Sequence, residues 1–381
     1  MEARLFVMAG GGTGGHVMPL LAVARELARR GHQVLFIGTH QGLEARLVPE
    51  AGFSIEWIEI GGMQRVGWRR ALRTALQLPP SIARCWRILQ RKGARVVFSL
   101  GGYVAGPVVS AAMLRGIPVV LMEPNAIPGL VNRAGARMVY RALLGLPDAA
   151  AFFPPGRSEV TGVPVRDEFF ALPPKAPAPE LAVLITGGSR GSRTLNRAFR
   201  ESWPLFRAAG APVRFLHQSG EDEAQPLSRD FSSSGLQGEV RAFISDMPAA
   251  FAASDLVVGR SGAGAVAELA AAGKASLLVP FPFAADNHQQ KNAEAMVRAG
   301  AARMALDAEM NGQRLFQEVM SFVNDRALLQ RMNLAAGALA RPGAARRAAE
   351  VLELAAQNPR KQVDSGAESR KNTNNIVQKC F

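Results

Sequence analysis

Short apolar runs alternate along the chain with stretches in which apolar residues recur every three or four positions. "RLFVMA" (4–9) and "QVLFIG" (33–38) are brief and almost wholly apolar, which predicts strands buried on both faces. Between them, "PLLAVARELARRG" sets Leu20, Val23, Ala24 and Leu27 at helical spacing and ends at Gly31. Strand, glycine-rich loop, helix and strand make a βαβ unit, whose parallel pairing requires both faces of the sheet to be covered. "RVVFSLGGYVAGPVVSAAMLRG" followed by "PVVLME" repeats the plan. A proline-rich stretch, "LPPKAPAPE" (172–180), interrupts it, and "LAVLITGGSRGSRTLNRAF" then starts strand, loop and helix afresh. The pattern predicts two α/β halves, each opening on a glycine-rich loop. The tail 358–381 is polar and aperiodic and is expected to be disordered.

Composition sharpens this picture in three places. The 381 residues exceed one ordinary α/β domain, so two domains are expected. The two cysteines, Cys85 and Cys380, have no metal-ligand spacing, which argues against a disulfide framework or a zinc site and fits a reducing cytoplasm. Neither a signal peptide nor a run long enough to span a bilayer is visible. The net charge of +14 is concentrated: no Asp or Glu occurs between Ile60 and Met122, a span holding ten Lys and Arg residues. Within it Trp68, Arg69, Arg70, Arg73, Leu76 and Trp86 have the composition of a surface that lies on anionic lipid. The competing reading makes Ile82, Cys85, Trp86 and Leu89 a core stripe with solvated arginines around it. Nucleic acid is not expected, because no recognition motif accompanies the charge.

Chemistry enters at the glycines. Gly10, Gly12 and Gly15 match G-x-G-x-x-G, but the second strand ends in Gly38, Thr39 and His40 without the acid that would hold a dinucleotide ribose. No GK[ST] follows, which excludes a P-loop. What survives is close approach by an anion to backbone N–H groups at a helix start. In the second half, Ser189 and the Arg260–Ser261–Gly262 turn each precede a helix, an arrangement suited to a diphosphate. Glu268 is the only charge in "AGAVAELAAAG", so it lies either on an exposed face or beside a dedicated partner. "PFPFAADNHQQKNA" crowds neutral hydrogen-bonding groups that suit a sugar, or a polar loop and helix cap.

"GGGTGGHVMP", "GGYVAGP", "EPNAIPGLVNR", "TGVPVR", "TGGSRGSRTLN", "FISDM", "RSGAGAVAE" and "PFPFAADNHQQKNA" occur in this order. Together they closely resemble the MurG family, bacterial transferases that add N-acetylglucosamine to undecaprenyl-pyrophosphoryl-N-acetylmuramyl-pentapeptide, over the chain from the first strand to about residue 355. The resemblance implies an α/β GT-B fold, with two Rossmann-like domains whose parallel sheets face a central cleft. It implies an acceptor domain at 1–165 completed by a helix at about 341–357, and a donor domain at 166–340. Carried over by motif, the UDP-N-acetylglucosamine site would use Arg166, Ser189, Ile244, Arg260, Ser261, Gly262, Ala263, Glu268, Gln289 and Gln290, with Thr13, Gly14, Gly15 and Asn125 from the first domain. In this scheme the Ile244 backbone meets uracil, Glu268 the ribose, and Gln289 and Gln290 the sugar. Gly11, Gly12, Gly101, Gly102, Tyr103 and Asn132 would receive the lipid pyrophosphate and muramyl group.

The implied reaction is an inverting single displacement, with His16 as first candidate for the base and Glu123 as the other. Where the family commonly reads H-E-Q-N, this chain has Met122, Glu123, Pro124 and Asn125. No Asp-x-Asp pair is placed to hold a metal-bound diphosphate, so neither metal nor cofactor is expected. The resemblance also implies a peripheral enzyme of the cytoplasmic face of the bacterial inner membrane, serving cell-wall synthesis, shape and division. Two rivals of other classes remain: an isomerase of the UDP-N-acetylglucosamine 2-epimerase kind, and a non-catalytic basic membrane-binding protein. An NAD-dependent oxidoreductase fits the first loop alone.

Overall fold

Every strand pairing among the described residues is parallel, as the uniformly apolar runs require. The computed structural model describes residues 3–11, 14–61, 68–176 and 178–358, with the side chains of 68–75 outside that description. The first sheet holds β1 (Leu5–Ala9), β2 (Gln33–Gly38), β3 (Ser54–Trp57), β4 (Val96–Ser99), β5 (Val119–Glu123), β6 (Arg141–Leu144) and β7 (Ser158–Val160) in the order β3-β2-β1-β4-β5-β6-β7. The second holds β8 (Leu181–Thr186), β9 (Val213–Gln218), β10 (Gln237–Arg241), β11 (Leu256–Gly259), β12 (Ala275–Leu278) and β13 (Ala302–Met304) in the order β10-β9-β8-β11-β12-β13. Each sheet starts at its centre, builds to one edge and returns to build the other. That order creates a switch point at which consecutive loops diverge beyond the carboxyl ends of the central strands, the usual ligand crevice of open α/β sheets. Register fixes it: Ala9 stands opposite Ser99, and Thr186 opposite Gly259.

Helices cover both faces of each sheet. In the first unit these are α1 (Gly14–Arg29), α2 (Glu44–Glu50), α3 (Trp68–Lys92), α4 (Ala105–Leu114) and α5 (Leu130–Gly135). The second carries α6 (Arg193–Ala208), α7 (Glu221–Ser232), α8 (Met247–Ala253), α9 (Ala263–Ala271), α10 (His288–Arg298), α11 (Gly312–Asn324) and α12 (Arg326–Ala338), and the chain then ends in α13 (Ala344–Gln357). Side-chain caps start several of them: Ser192 accepts from Leu195 N, Asp246 from Ala249 N, Asn311 from Arg314 N and Asp325 from Leu328 N.

Two compact units result, one holding the residues up to Pro164 and those from Gly343 on, the other Val165–Pro342. The return is carried by α13, whose Ala348, Ala349, Val351, Leu352 and Ala355 join Val17, Leu20, Leu21 and Leu27 of α1 in one buried cluster. On the opposite face of that sheet, Cys85, Ile88 and Leu89 of α3 are buried, with Leu78, Ile82 and Trp86 partly buried against the same core. Much of the stripe that offered two readings is therefore core. Burial pushes the Cys85 thiol up to about 12, as expected of an inert structural cysteine.

Candidate functional site

In the second unit the loops after β8, β9 and β11 and the entry to α10 are welded by a few side chains. After β8 the chain passes Gly187, Gly188, Ser189, Arg190 and Gly191 before the Ser192 cap. A Cβ on Gly191 would overlap the Ser219 carbonyl, and one on Gly187 would overlap the backbone of Gly191 and Ser192, so both positions require glycine. Gly188 adopts φ +86° in open space, and Ser189 is exposed beside it. Gln218, at the end of β9, donates to the Gly188 carbonyl at 2.8 Å and accepts from Ile244 N–H at 2.8 Å. That N–H is thus occupied, and among the described residues no hydrogen bond reaches the Ile244 carbonyl.

Arg260 does not aim its guanidinium outward. It donates to Ser192 Oγ at 2.7 Å, to the Val279 carbonyl at 3.0 Å and to the Pro280 carbonyl at 3.2 Å, and pairs with Asp307. Ser261 is fully buried, and its hydroxyl donates to the Gln289 carbonyl at 2.8 Å. Asn292, also buried, donates to the Ser261 carbonyl at 3.1 Å. The turn from Arg260 to Ala263 can therefore offer an anion its backbone N–H groups and the start of α9, while its side chains serve as ties. A Cβ on Gly262 would have only the Gln289 amide within 4 Å, at 3.9 Å. Gln289 itself accepts from Phe281 N–H at 3.0 Å, and Gln290 donates to Glu294 at 3.0 Å.

Asp286 and Asn287, just before α10, both take left-handed backbone conformations, at φ +49° and +52°. For residues with a Cβ this costs about 1–2 kcal/mol each, a strain found most often at functional turns. Among the described residues no hydrogen bond reaches the side-chain carboxyl of Glu268, which is partly enclosed on α9. Burial pushes its carboxyl up to about 7, against the pull of the Arg166 charge. Arg166 is exposed and lies over the Phe169 ring, 5.1 Å from its centroid.

In the first unit two loops meet around His16. Gly101 and Gly102 take φ +79° and +81°, and a Cβ on Gly102 would lie 3.6 Å from the Gly11 carbonyl and 3.8 Å from His16 Cε1. His16 is partly exposed, at the start of α1. Glycine at position 11 also has a reason within the fold. A Cβ there would come within 2.5 Å of the Glu44 carboxylate, which is buried and accepts from Thr39 N–H at 3.1 Å and Thr39 Oγ1 at 2.9 Å. The Thr39 hydroxyl also lies 3.4 Å from Tyr103 OH. Glu44 belongs to the framework of this site and the sequence reading missed it. Its only signal was an acid in the first turn of a helix following "GTHQG".

Glu123, the other candidate base, is 1% exposed and accepts four hydrogen bonds. They come from Asn125 N–H at 2.9 Å, Asn125 Nδ2 at 3.1 Å, Gly129 N–H at 3.0 Å and Asn132 Nδ2 at 2.9 Å. Burial raises its affinity for a proton, and these bonds pull it back down. With its oxygens so engaged, Glu123 brackets the loop after β5. Asn132 is buried as well, its Nδ2 shared with the Met122 carbonyl and its Oδ1 enclosed beside Gly101. Met122 lies wholly inside the core cluster under α1 and α13.

Of the residues singled out for lipid contact, Leu76 is 70% exposed, whereas Trp86 packs on the core with the Arg115 guanidinium 4.8 Å from its ring centroid. Trp68, Arg69, Arg70 and Arg73 lie in α3, but their side chains are outside the described residues, as are Gly12, Thr13 and the tail from residue 359. No helix among the described residues is long and apolar enough to cross a membrane, and none of their His, Cys, Asp or Glu side chains form a group that could hold a metal ion.

Two parallel, doubly wound units with glycine loops at their switch points define an α/β architecture with a ligand crevice in each unit. Residues 6–144 match the glycosyltransferase family 28 N-terminal domain and residues 182–350 its C-terminal domain. The chain is 59% identical, over 93% of its length and 97% of the other's, to the UDP-N-acetylglucosamine–N-acetylmuramyl-(pentapeptide) pyrophosphoryl-undecaprenol N-acetylglucosamine transferase of Solibacter usitatus. The crystal structure of Acinetobacter baumannii MurG superposes with a TM-score of 0.80 at 30% identity, covering 93% of this chain and 100% of that one. A UDP-GlcNAc 2-epimerase from Neisseria meningitidis superposes with a TM-score of 0.65 at 14% identity over 93% of this chain and 100% of its own, a likeness of fold alone. The chain belongs to the MurG family of N-acetylglucosaminyltransferases.

Proposed function

We propose that the chain transfers N-acetylglucosamine from UDP-N-acetylglucosamine to the C4 hydroxyl of undecaprenyl-pyrophosphoryl-N-acetylmuramyl-pentapeptide, with inversion. The observation that carries this is the 59% identity, over nearly all of both chains, to a protein named for that reaction. The epimerase reading is not favoured, its support being fold alone.

In this reading the second unit holds the donor. The Ile244 carbonyl accepts from the base and Glu268 accepts from the ribose hydroxyls. The N–H groups of Ser189 and of the turn from Gly262 into α9 meet the diphosphate, with Arg166 adding charge. Gln289 and Gln290 read the sugar, Gln290 turning from Glu294 to do so. Arg260 and Ser261 hold this frame from behind. In the first unit His16, beside the Gly102 turn, takes the proton as the acceptor oxygen bonds to the anomeric carbon and the bond to UDP breaks. Glu123 and Asn132 keep the loop carrying Asn125 in place. Leu76 and the basic side chains of α3 meet an anionic membrane surface, where the polyprenyl tail of the acceptor is anchored.

Transfer of labelled N-acetylglucosamine to the lipid acceptor tests the reading with wild type, Glu268→Ala and His16→Ala. Acceptor-dependent UDP release is expected, with Glu268→Ala raising the donor KM and His16→Ala lowering kcat. Turnover of the donor without acceptor by the folded wild type would refute it.

A further inference from the structure

Gln218 is 1% exposed, and one primary amide there ties together two pieces of chain distant from it in sequence, the end of β8 with its loop and the segment at Ile244. Its Oε1 accepts from Ile244 N–H at 2.8 Å, 26 residues away. Its Nε2 donates to the Gly188 carbonyl at 2.8 Å, 30 residues away, and to Thr186 Oγ1 at 3.3 Å. Only Asn and Gln offer acceptor and paired donors in one uncharged group, and Asn is a methylene shorter.

The bond to Gly188 has a directional consequence. In a trans peptide the carbonyl of one residue and the N–H of the next point in opposite directions. The Gly188 carbonyl also accepts from Gly191 N–H at 2.9 Å, so it is held by two donors. Pinning that oxygen toward Gln218 turns Ser189 N–H the other way, on an exposed loop. Gly188, at φ +86°, would have nothing within 4 Å of a Cβ, so its orientation rests on these bonds and on the one its N–H donates to Thr186 Oγ1 at 3.2 Å.

We propose that Gln218 is a positioning residue for donor binding: one side chain aims the Ser189 N–H at the diphosphate and, by accepting from the Ile244 N–H, anchors the segment whose Ile244 carbonyl meets the base. The base and phosphate halves of the subsite are thereby coupled. This deepens the donor reading given above and rests on it.

The test compares wild type, Gln218→Ala and Gln218→Glu for calorimetric binding of uridine and UDP, and for donor KM and kcat in the intact enzyme. Gln218→Ala loses both ties, so uridine and UDP binding each weaken about tenfold or more. Gln218→Glu keeps an oxygen for Ile244 N–H but has no proton for Gly188, so uridine binding stays within about threefold while UDP weakens about tenfold. Donor KM rises in both variants, with kcat at saturation within about threefold of wild type. In wild type, UDP protects the Ser189 amide from hydrogen exchange. Wild-type UDP affinity in a folded variant, equal loss of uridine and UDP in Gln218→Glu, or an unprotected Ser189 amide overturns the proposal. A wild type that binds no UDP overturns the donor reading itself, a separate result.

Discussion

The two glycine-rich loops, one after β1 and one after β8, look alike in sequence and are glycine-rich for different reasons. After β8, Gly187 and Gly191 are small because other parts of the same unit press against them, which leaves Gly188 and Ser189 as the outward-facing corner. After β1, Gly11 is small because the buried Glu44 carboxylate occupies the space behind it. One loop is braced by neutral groups, Gln218 and the Ser219 carbonyl, and the other by an acid. The two backings thus differ in chemistry, whatever the glycine count. Glycine pattern alone therefore locates close approach without saying what approaches.

Substitutions can break this comparison. The largest effect is expected for Gly191→Ala, which adds a Cβ against the Ser219 carbonyl at φ +71°. Donor kcat/KM should fall about a hundredfold or more, whereas Gly188→Ala, with only its φ to strain, should cost about tenfold. Glu268→Ala should raise the donor KM by about 10–100-fold in steady-state kinetics, with kcat changed far less. Gly11→Ala should lower kcat about tenfold while calorimetric UDP affinity stays at the wild-type value, and Glu44→Asp, by withdrawing the carboxylate, should restore part of the loss. If Gly11→Ala weakened UDP binding instead, the two loops would not be functionally separate.

The smallest effect is a pH dependence. The Glu268 carboxyl, raised to about 7, is ionised above that pH and protonated below it. Its carboxylate is the form that accepts from hydroxyl groups, so donor KM should rise about three- to tenfold between pH 8 and pH 6, and Glu268→Gln should flatten the profile. Stability runs the opposite way. A carboxyl with a raised folded-state pKa binds more protons folded than unfolded, so it costs stability as pH rises from about 4.5 towards 7. Glu268→Gln should therefore melt about 2–4 °C higher than wild type at pH 8 by calorimetry.

Much of the fold was legible because its signals are local. "RLFVMA" and "QVLFIG" contain β1 and β2, and the fresh strand, loop and helix after the prolines became β8 and α6. Glu268 was legible too, as a charge in an apolar helix, although its place on that helix was not. The groups that hold the loops were not legible: Gln218, Glu44, Asn292 and the inward turn of Arg260 act on partners far along the chain or hidden beneath it. A polar residue at a strand end carries no mark of which carbonyl it will meet. Trp86 shows the converse, since its aromatic character among arginines suits a lipid surface, yet its partners are Arg115 and the core.

The return of α13 also has a consequence for biosynthesis. When the ribosome has released residues up to Pro164, every strand of the first sheet exists, but the apolar side of α1 that α13 covers has nothing yet to cover it. The second unit, Val165–Pro342, must be made before that cover arrives. During this interval the nascent first unit presents a sticky face and depends on chaperones or on speed, and premature termination near residue 342 should yield aggregates in place of a working half-enzyme.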